Sequence, residues 1–213
     1  VQIAIFGANG ATGRLLTSMA LKSGHSVIAL VRKPQSFPYL KSVHVIEGSA
    51  FDPVAVAATV ADADVVFTAL GAKSPFRNEN VLPRAVPIIV AAMKQSGVRR
   101  IIALGAAGAR PDALIKQPVW ARWVIQKLFF NTVLKFPISE QIAQHEILAS
   151  SGLDWTMVLP PKLTNGPALS RYRVDPDALP RQGHSISRAD VADFMFQQIG
   201  NTQWTGKSVY ISD

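Results

Sequence analysis

Cysteine is absent from the 213-residue chain, which excludes a disulfide framework and a thiolate metal site and fits a reducing compartment. Tyrosine is scarce, with three residues, and acids are outnumbered, 14 against 22 lysines and arginines. No apolar run is long enough to span a bilayer. The first such run is short and leads into glycines, unlike a signal peptide, so a cytoplasmic location is expected. No His, Asp or Glu cluster has metal-ligand spacing, and no metal is expected. Zinc-finger spacing and aromatic–basic RNA motifs are missing too, so nucleic acid is not the expected partner.

What is present is a soluble globular composition, 48% apolar and 17% charged, in a chain long enough for one domain with a full core. The net charge of +8 favours anionic partners such as phosphates and carboxylates, or else is an ordinary solvated basic surface. Short Val- and Ile-rich runs at 1–6, 25–31, 43–47, 63–70, 99–105, 154–160 and 207–212 have the length and residue choice of strands buried on both faces. Helical periods at 11–23, 53–61, 80–96, 139–151 and 188–199 lie between them. This alternation predicts an α/β fold: a doubly wound, Rossmann-type parallel sheet of about seven strands with helices on both faces. Gly24, Gly97 and Gly152 each follow a helical period, where a left-handed terminal residue is easiest for glycine. Ser187 with Asp190 reads as the N-terminal cap of the last helix. The rhythm breaks only at 109–137, expected to be an irregular helical insertion that forms a small acceptor-side lobe of the single domain 1–213.

The stretch "GANGATGR" at 7–14 follows the first strand and opens the first helix. Gly7 would make the tight turn, Gly10 would let the backbone approach a pyrophosphate, and Gly13 would let helix and strand pack closely. Asn9, Ala11 and Thr12 complete the turn, whose free N–H groups and helix dipole would hold the phosphates. About 20 residues on, where an acid would favour NAD, the chain has Arg32 followed by Lys33. With Arg14 these suit a 2′-phosphate, so NADP(H) is the expected cofactor; the alternative is unrelated surface cations.

This spacing resembles the atypical short-chain dehydrogenase/reductase group, which includes NmrA-like regulators. "GANGATGRLL", "FTALGAK", "IIVAAMKQSGVRRIIAL", "QHEILASSGLDWTMVLPPKL" and "ISRADVADFM" are similar, in the same order, to the biliverdin-IXβ reductase/flavin reductase family. The resemblance is weakest over 106–138. It implies an NADPH-dependent reductase of flavins or related planar acceptors, with Gly7, Gly10, Thr12, Gly13, Arg14 and Arg32 at the cofactor. It further implies Leu70 and Gly71 beside the cofactor at the end of the fourth strand, and Pro160, Pro161 and Lys162 near the nicotinamide end. The family's Thr-Ser at the end of the fifth strand is replaced here by Gly105 and Ala106.

Carbonyl-reducing members of the wider group use a Tyr with a Lys four positions later. Four residues beyond Tyr39 and Tyr172 stand Val43 and Pro176, and the chain ends before Tyr210 has a partner. The helix that would carry the pair, "ISEQIAQHEILASSG", has Glu140, His145 and Glu146 but no tyrosine, and His145 reads as a surface or packing residue. Hydride delivery to a conjugated ring makes milder demands, chiefly two rings stacked in near-attack geometry. Lys162 is the candidate for electrostatic help at the acceptor, or a solvent-facing lysine after two prolines. His184 reads as a loop residue, and Ser18 and Ser151 lack a nucleophile's setting.

Residues 116–136 carry Trp120, Trp123, Phe129, Phe130 and Phe136 with Arg122, Lys127 and Lys135 interleaved, and read as a helix after Pro118. Three readings are open. The segment is a lid whose Trp120 and Trp123 stack on a flat substrate, a surface for a membrane or partner subunit, or a core helix of a small lobe. The leading expectation for function is transfer of hydride to a flavin, a biliverdin-like linear tetrapyrrole or a quinone-like acceptor. The alternative is a non-catalytic NADP(H)-sensing regulatory or assembly protein of the NmrA-like type.

Overall fold

The Val- and Ile-rich runs form one sheet. The computed structural model describes all residues except 73, 75 and 125–134, and of residues 121 and 124 only the backbone. Strands β1 (Gln2–Phe6), β2 (Ser26–Val31), β3 (His44–Glu47), β4 (Val65–Thr68), β5 (Arg100–Leu104), β6 (Asp154–Leu159) and β10 (Lys207–Ser212) lie parallel. The order is β3-β2-β1-β4-β5-β6-β10-β8, in which β8 (Arg173–Asp175) is an eighth strand, antiparallel to β10. The sheet is therefore one strand larger than the sequence reading. Two more three-residue strands, β7 (Lys162–Thr164) and β9 (Ser185–Ser187), pair in parallel as a separate ribbon. "RVD", "KLT" and "SIS" each hold one apolar residue, too few for a period, and they become strands through their partners.

Alternation along the central strands splits the core in two. Ile3 and Ile5 pack with Leu16, Ala20, Val191 and Met195, under helices α1 (Ala11–Lys22) and α6 (Arg188–Gln197). Ala4 and Phe6 pack on the other face with Val56, Leu82, Ile89 and Leu148, from α2 (Pro53–Val60), α3 (Val81–Ser96) and α5 (Lys135–Ala149). Helices thus cover both faces, as a parallel sheet requires. Gly24, Gly97 and Gly152 take the expected left-handed backbone, with φ between 71° and 73°.

Of the 109–137 stretch, residues 109–124 and 135–137 are described. A turn of 3₁₀ helix (Ala107–Ala109) precedes α4 (Val119–Val124), and α5 already includes Lys135, ahead of the expected 139. Lys127, Phe129 and Phe130 lie outside the described residues. Among the described residues no helix is long and apolar enough to cross a membrane.

Candidate functional site

The C-terminal ends of β1 and β4 lie side by side, and β1 is joined in sequence to β2 on its other flank. The order reverses between β1 and β4, which opens a crevice above the strand ends. The glycine turn fills that position. Gly7 has φ +82°, and a Cβ on it would lie 2.5 Å from the Ala69 carbonyl oxygen. A Cβ on Gly13 would lie 2.1 Å from the Gly7 carbonyl oxygen, so only glycine lets α1 sit this close to β1. Gly10 differs: a Cβ there would meet only Gly7 O, at 3.1 Å. Packing asks less of Gly10 than of Gly7 and Gly13, whereas a phosphate lying over the turn would need its bare backbone.

Helix α1 starts with no side-chain cap and no acid in its first turn. Its first N–H groups have no partner within the helix; Gly10 and Ala11 are exposed there, and Thr12 and Gly13 are buried. Such a start is a ready anion site. By contrast Asp52 caps α2 on the Val54 N–H at 2.9 Å, and Ser187 caps α6 on the Asp190 N–H at 2.9 Å.

Arg14 reaches from α1 to the loop after β2. Its Nη2 donates to Asn9 Oδ1 at 2.7 Å and to the Ser36 carbonyl at 3.2 Å, and its Nε to Asn9 Oδ1 at 3.0 Å. Asn9 Nδ2 donates to Ser36 Oγ at 2.8 Å, which in turn donates to the Lys33 carbonyl at 2.9 Å. This network ties the glycine turn to the end of β2, where Arg32 and Lys33 are exposed. Arg14 Nη1 and the side chains of Arg32 and Lys33 have no hydrogen-bond or ion-pair partner among the described residues.

Leu70 and Gly71 follow β4 directly. Ala69 N–H donates to the Phe6 carbonyl at 2.9 Å, which holds this exit against β1, and nothing lies within 4 Å of where a Gly71 Cβ would be. At the end of β5, methyl groups of Met157 and Leu159 stand 2.6 and 2.7 Å from where a Cβ on Gly105 would be, so apolar atoms occupy the place of the family's threonine. Buried Pro160 accepts the Ala107 N–H through its carbonyl at 2.8 Å, which joins the β5 and β6 exits. Lys162 is exposed at the start of β7.

Two polar residues that the sequence reading missed as site-builders come from α5. Glu140 is 2% exposed, and its Oε2 accepts the Leu82 N–H at 3.0 Å. It caps α3 from 58 positions away, in place of Asn80, whose left-handed backbone (φ 49°) provides no side-chain cap. Gln144, one turn on, donates Nε2 to the Leu104 carbonyl at 3.0 Å, at the end of β5. Glu140 Oε1, Gln144 Oε1 and the Thr68 hydroxyl are buried without a partner among the described residues. The signal was available: the inward row of α5 reads Glu140, Gln144, Leu148, two polar residues on a face that buries its side chains. His145 packs its ring edge-on to Trp155, centroids 5.7 Å apart, as a packing residue should. Burial, then Arg110, holds its pKa below the usual histidine value, against the opposing pull of Glu146 and Asp112.

The segment after β5 is held by contacts far apart in sequence. Buried Tyr210 donates its hydroxyl to Asp112 Oδ1 at 2.9 Å, and Arg110 pairs with Asp112. Burial and that carboxylate raise the Tyr210 pKa well above the ordinary phenol range. Gln117 Nε2 donates to the carbonyls of Leu179 (3.1 Å) and Pro180 (2.9 Å). Beyond this anchor, Trp120 and Trp123 are 73% and 60% exposed. That overturns the core-helix reading for these two side chains. A cavity of about 380 Å³ lined by Gln2, His25, Lys41 and His44 lies under the opposite, N-terminal ends of β1–β3.

Known proteins share this architecture. "Probable pinoresinol-lariciresinol reductase 3" of Arabidopsis thaliana is 32% identical over 116 residues, 52% of this chain and 35% of that protein; the match thus spans about a third of the relative's length. A short-chain dehydrogenase/reductase from Veillonella parvula, solved in complex with NADP, superposes with a TM-score of 0.79 at 23% identity, over 100% of this chain and 94% of that one. ChuY, an anaerobilin reductase from Escherichia coli O157:H7, superposes with a TM-score of 0.81 at 19% identity, over 100% and 97%. At these identities the two structures show a shared fold. The NAD(P)H-binding family matches residues 7–202, from the first glycine of the turn to the loop before β10, and the chain belongs to it.

Proposed function

We propose that this protein is an NADPH-dependent reductase of a planar conjugated acceptor, a flavin, linear tetrapyrrole or quinone-like ring. The observation that carries the reading is the open start of α1, bracketed by Arg14, Arg32 and Lys33. The N–H groups of Ala11, Thr12 and Gly13 would hold a pyrophosphate, and the three cations a 2′-phosphate at the end of β2. Leu70, Gly71 and Pro160 would border the nicotinamide end. When bound, the reduced cofactor supplies the hydride.

The chain's part in the chemistry is binding, orientation and exclusion of water. Tyr39 and Tyr172 have Val43 and Pro176, not lysine, four residues on, and Gly105 and Ala106 offer no hydroxyl at the end of β5. A localised alkoxide would find no built acid there, whereas a conjugated ring spreads its negative charge and asks mainly to be stacked. Lys162, exposed on the acceptor side, is assigned to an acceptor carboxylate, phosphate or carbonyl. ChuY, the anaerobilin reductase of the same fold, supports this choice of acceptor class.

Calorimetry of purified protein with NADPH and NADH tests the cofactor, and steady-state NADPH oxidation with FMN, riboflavin or biliverdin tests the acceptor. The expected results are a clear preference for NADPH and turnover with at least one acceptor. Equal affinity for the two cofactors removes the first half, and turnover no higher than the blank with every acceptor removes the second. A second reading, an NADP(H)-sensing regulator, draws on the missing hydroxyls at Gly105 and Ala106. It predicts tight binding without consumption, together with a stable protein partner.

A further inference from the structure

The sequence "ISRAD" at 186–190 does more than start a helix. Ser187 alone meets the capping need of α6, with its Oγ on the Asp190 N–H at 2.9 Å. Yet Asp190 is only 4% exposed, and its carboxylate is filled by three donors. Oδ2 accepts the Ser187 hydroxyl at 2.7 Å, and Oδ1 accepts the backbone N–H groups of Leu169 and Ser170, both at 2.8 Å. Ser170 has a left-handed backbone, φ 51°, a conformation that a serine keeps only when its surroundings enforce it. Arg188 adds a second tie, with Nη1 on Asn165 Oδ1 at 2.6 Å. The first turn of α6 therefore grips both ends of the segment 165–170.

That segment buries nothing. Residues 165–171 are all exposed, and Leu169 is 64% exposed. A buried, fully bonded carboxylate holding a strap that adds nothing to the core fixes shape rather than packing. The strap continues β7, which follows Pro160 and Pro161 out of the C-terminal edge of β6, beside the end of β5. It therefore rises from the rim of the site, next to Lys162, and presents Pro167, Ala168 and Leu169 as an apolar surface.

We propose that Asp190 is a positioning residue that sets the 165–171 strap as the outer wall of the acceptor site, with Leu169 as the apolar contact for a flat conjugated ring. The inference rests on the reductase reading and adds a specificity element to it. The test compares D190A, D190N, L169N and D52A with the wild type, measuring NADPH affinity, acceptor KM and kcat, equilibrium binding of biliverdin and FMN to the NADP⁺ complex, and Tm. The D190N variant keeps an amide oxygen that can accept both strap N–H groups, and D52A removes a helix cap remote from the strap.

For D190A, acceptor KM and dissociation constant should rise about tenfold, with kcat at saturation and NADPH affinity within twofold of wild type; D190N should restore most of the loss. D52A should lower Tm and leave acceptor KM unchanged. L169N, an exposed substitution that keeps the fold, should raise acceptor KM several-fold with Tm unchanged, and it decides the matter if D190A does not fold. If L169N and D190A both bind and turn over acceptors as the wild type does, Asp190 is a structural cap and the inference is overturned alone. If wild-type protein binds acceptors without turnover, the reductase reading falls and the strap is judged on the binding constants. If wild-type protein neither binds nor turns over any acceptor, both are overturned.

Discussion

Helices α1 and α6 lie side by side on one face of the sheet, and their N-termini pose the same electrostatic problem in opposite ways. Each leaves backbone N–H groups without helical partners. At α6 the chain answers with its own residues: Ser187 caps the helix and Asp190 puts a carboxylate in the first turn. At α1 there is neither cap nor acid, and the nearby side chains are cations. The difference teaches where a ligand is expected. A helix start satisfied from within is architecture, and one left open beside Arg14, Arg32 and Lys33 is complete only with an anion from outside.

The largest break in this contrast should come from Gly13→Ala. Its Cβ would enter the space of the Gly7 carbonyl, 2.1 Å away, and backbone on both sides would have to move. A loss of about 3 kcal/mol of stability is expected, at the upper end of ordinary overpacking, together with loss of NADPH binding. Gly10→Ala, whose Cβ meets protein only at 3.1 Å, should keep its Tm within a few degrees and still weaken NADPH. Thermal unfolding beside calorimetry separates the two glycines, and equal Tm losses would contradict the assignment of Gly10 to the ligand.

The cations sharpen the comparison next. Arg14→Ala and Arg32→Ala should each weaken NADPH by roughly tenfold or more, in keeping with about 1.5–3 kcal/mol for a hydrogen bond to a charged group, and leave NADH within twofold. Arg14→Ala should also lower Tm slightly, because its guanidinium braces Asn9 and Ser36, whereas Arg32→Ala should not. Parallel losses for NADPH and NADH would mean that these residues sense overall charge and not the 2′-phosphate.

A smaller effect tests the remote cap. Glu140→Ala leaves the buried Leu82 N–H without its acceptor and should cost about 1–3 kcal/mol, while Glu140→Gln keeps an acceptor oxygen and should recover most of it. Ser187→Ala, a cap adjacent in sequence, should cost about 1 kcal/mol. Urea titrations of the three variants would rank them, and a Glu140→Ala curve superimposed on wild type would remove the capping role.

These cases also show what could be read in advance. The glycine turn is local: it, its strand and its helix lie within residues 2–22, so spacing alone conveyed the packing roles of Gly7 and Gly13. The parallel strands were legible for the same reason, since strands buried on both faces are continuous apolar runs. The long-range contacts of α3, α6 and β10 were not. Glu140 acts on Leu82, Tyr210 on Asp112 and Asp190 on Leu169, at separations of 58, 98 and 21 positions, and no period links such pairs. The strands β7, β8 and β9 were missed because pairing, not composition, makes them. Ser187 and Asp190 were read as a cap, half of what they do, because the cap is local and the strap is not.

The smallest effect belongs to Tyr172, just past the strap. Its hydroxyl donates to Asp193 Oδ2 at 3.0 Å and its ring meets Phe194 edge-on, with centroids 5.7 Å apart. Burial first, then the Asp193 carboxylate as hydrogen-bond acceptor and neighbouring charge, pushes its pKa up to about 12 from the usual 10.0. The folded protein therefore keeps this proton at pH values where the unfolded chain has released it. Folding is favoured while both states hold the proton, and that increment fades as pH climbs from about 10 to about 12, because the unfolded state then binds fewer protons. Tyr172→Phe removes the titrating group and should flatten this part of the stability–pH curve relative to wild type. The group is only part-buried, so solvent screening keeps the effect small. The slope difference between the two proteins, measured by urea unfolding at several pH values across that window, reports whether the strap's far end is tied to α6. Identical slopes would mean that Tyr172 stands free of Asp193, and that α6 grips the strap through Asp190 and Arg188 alone.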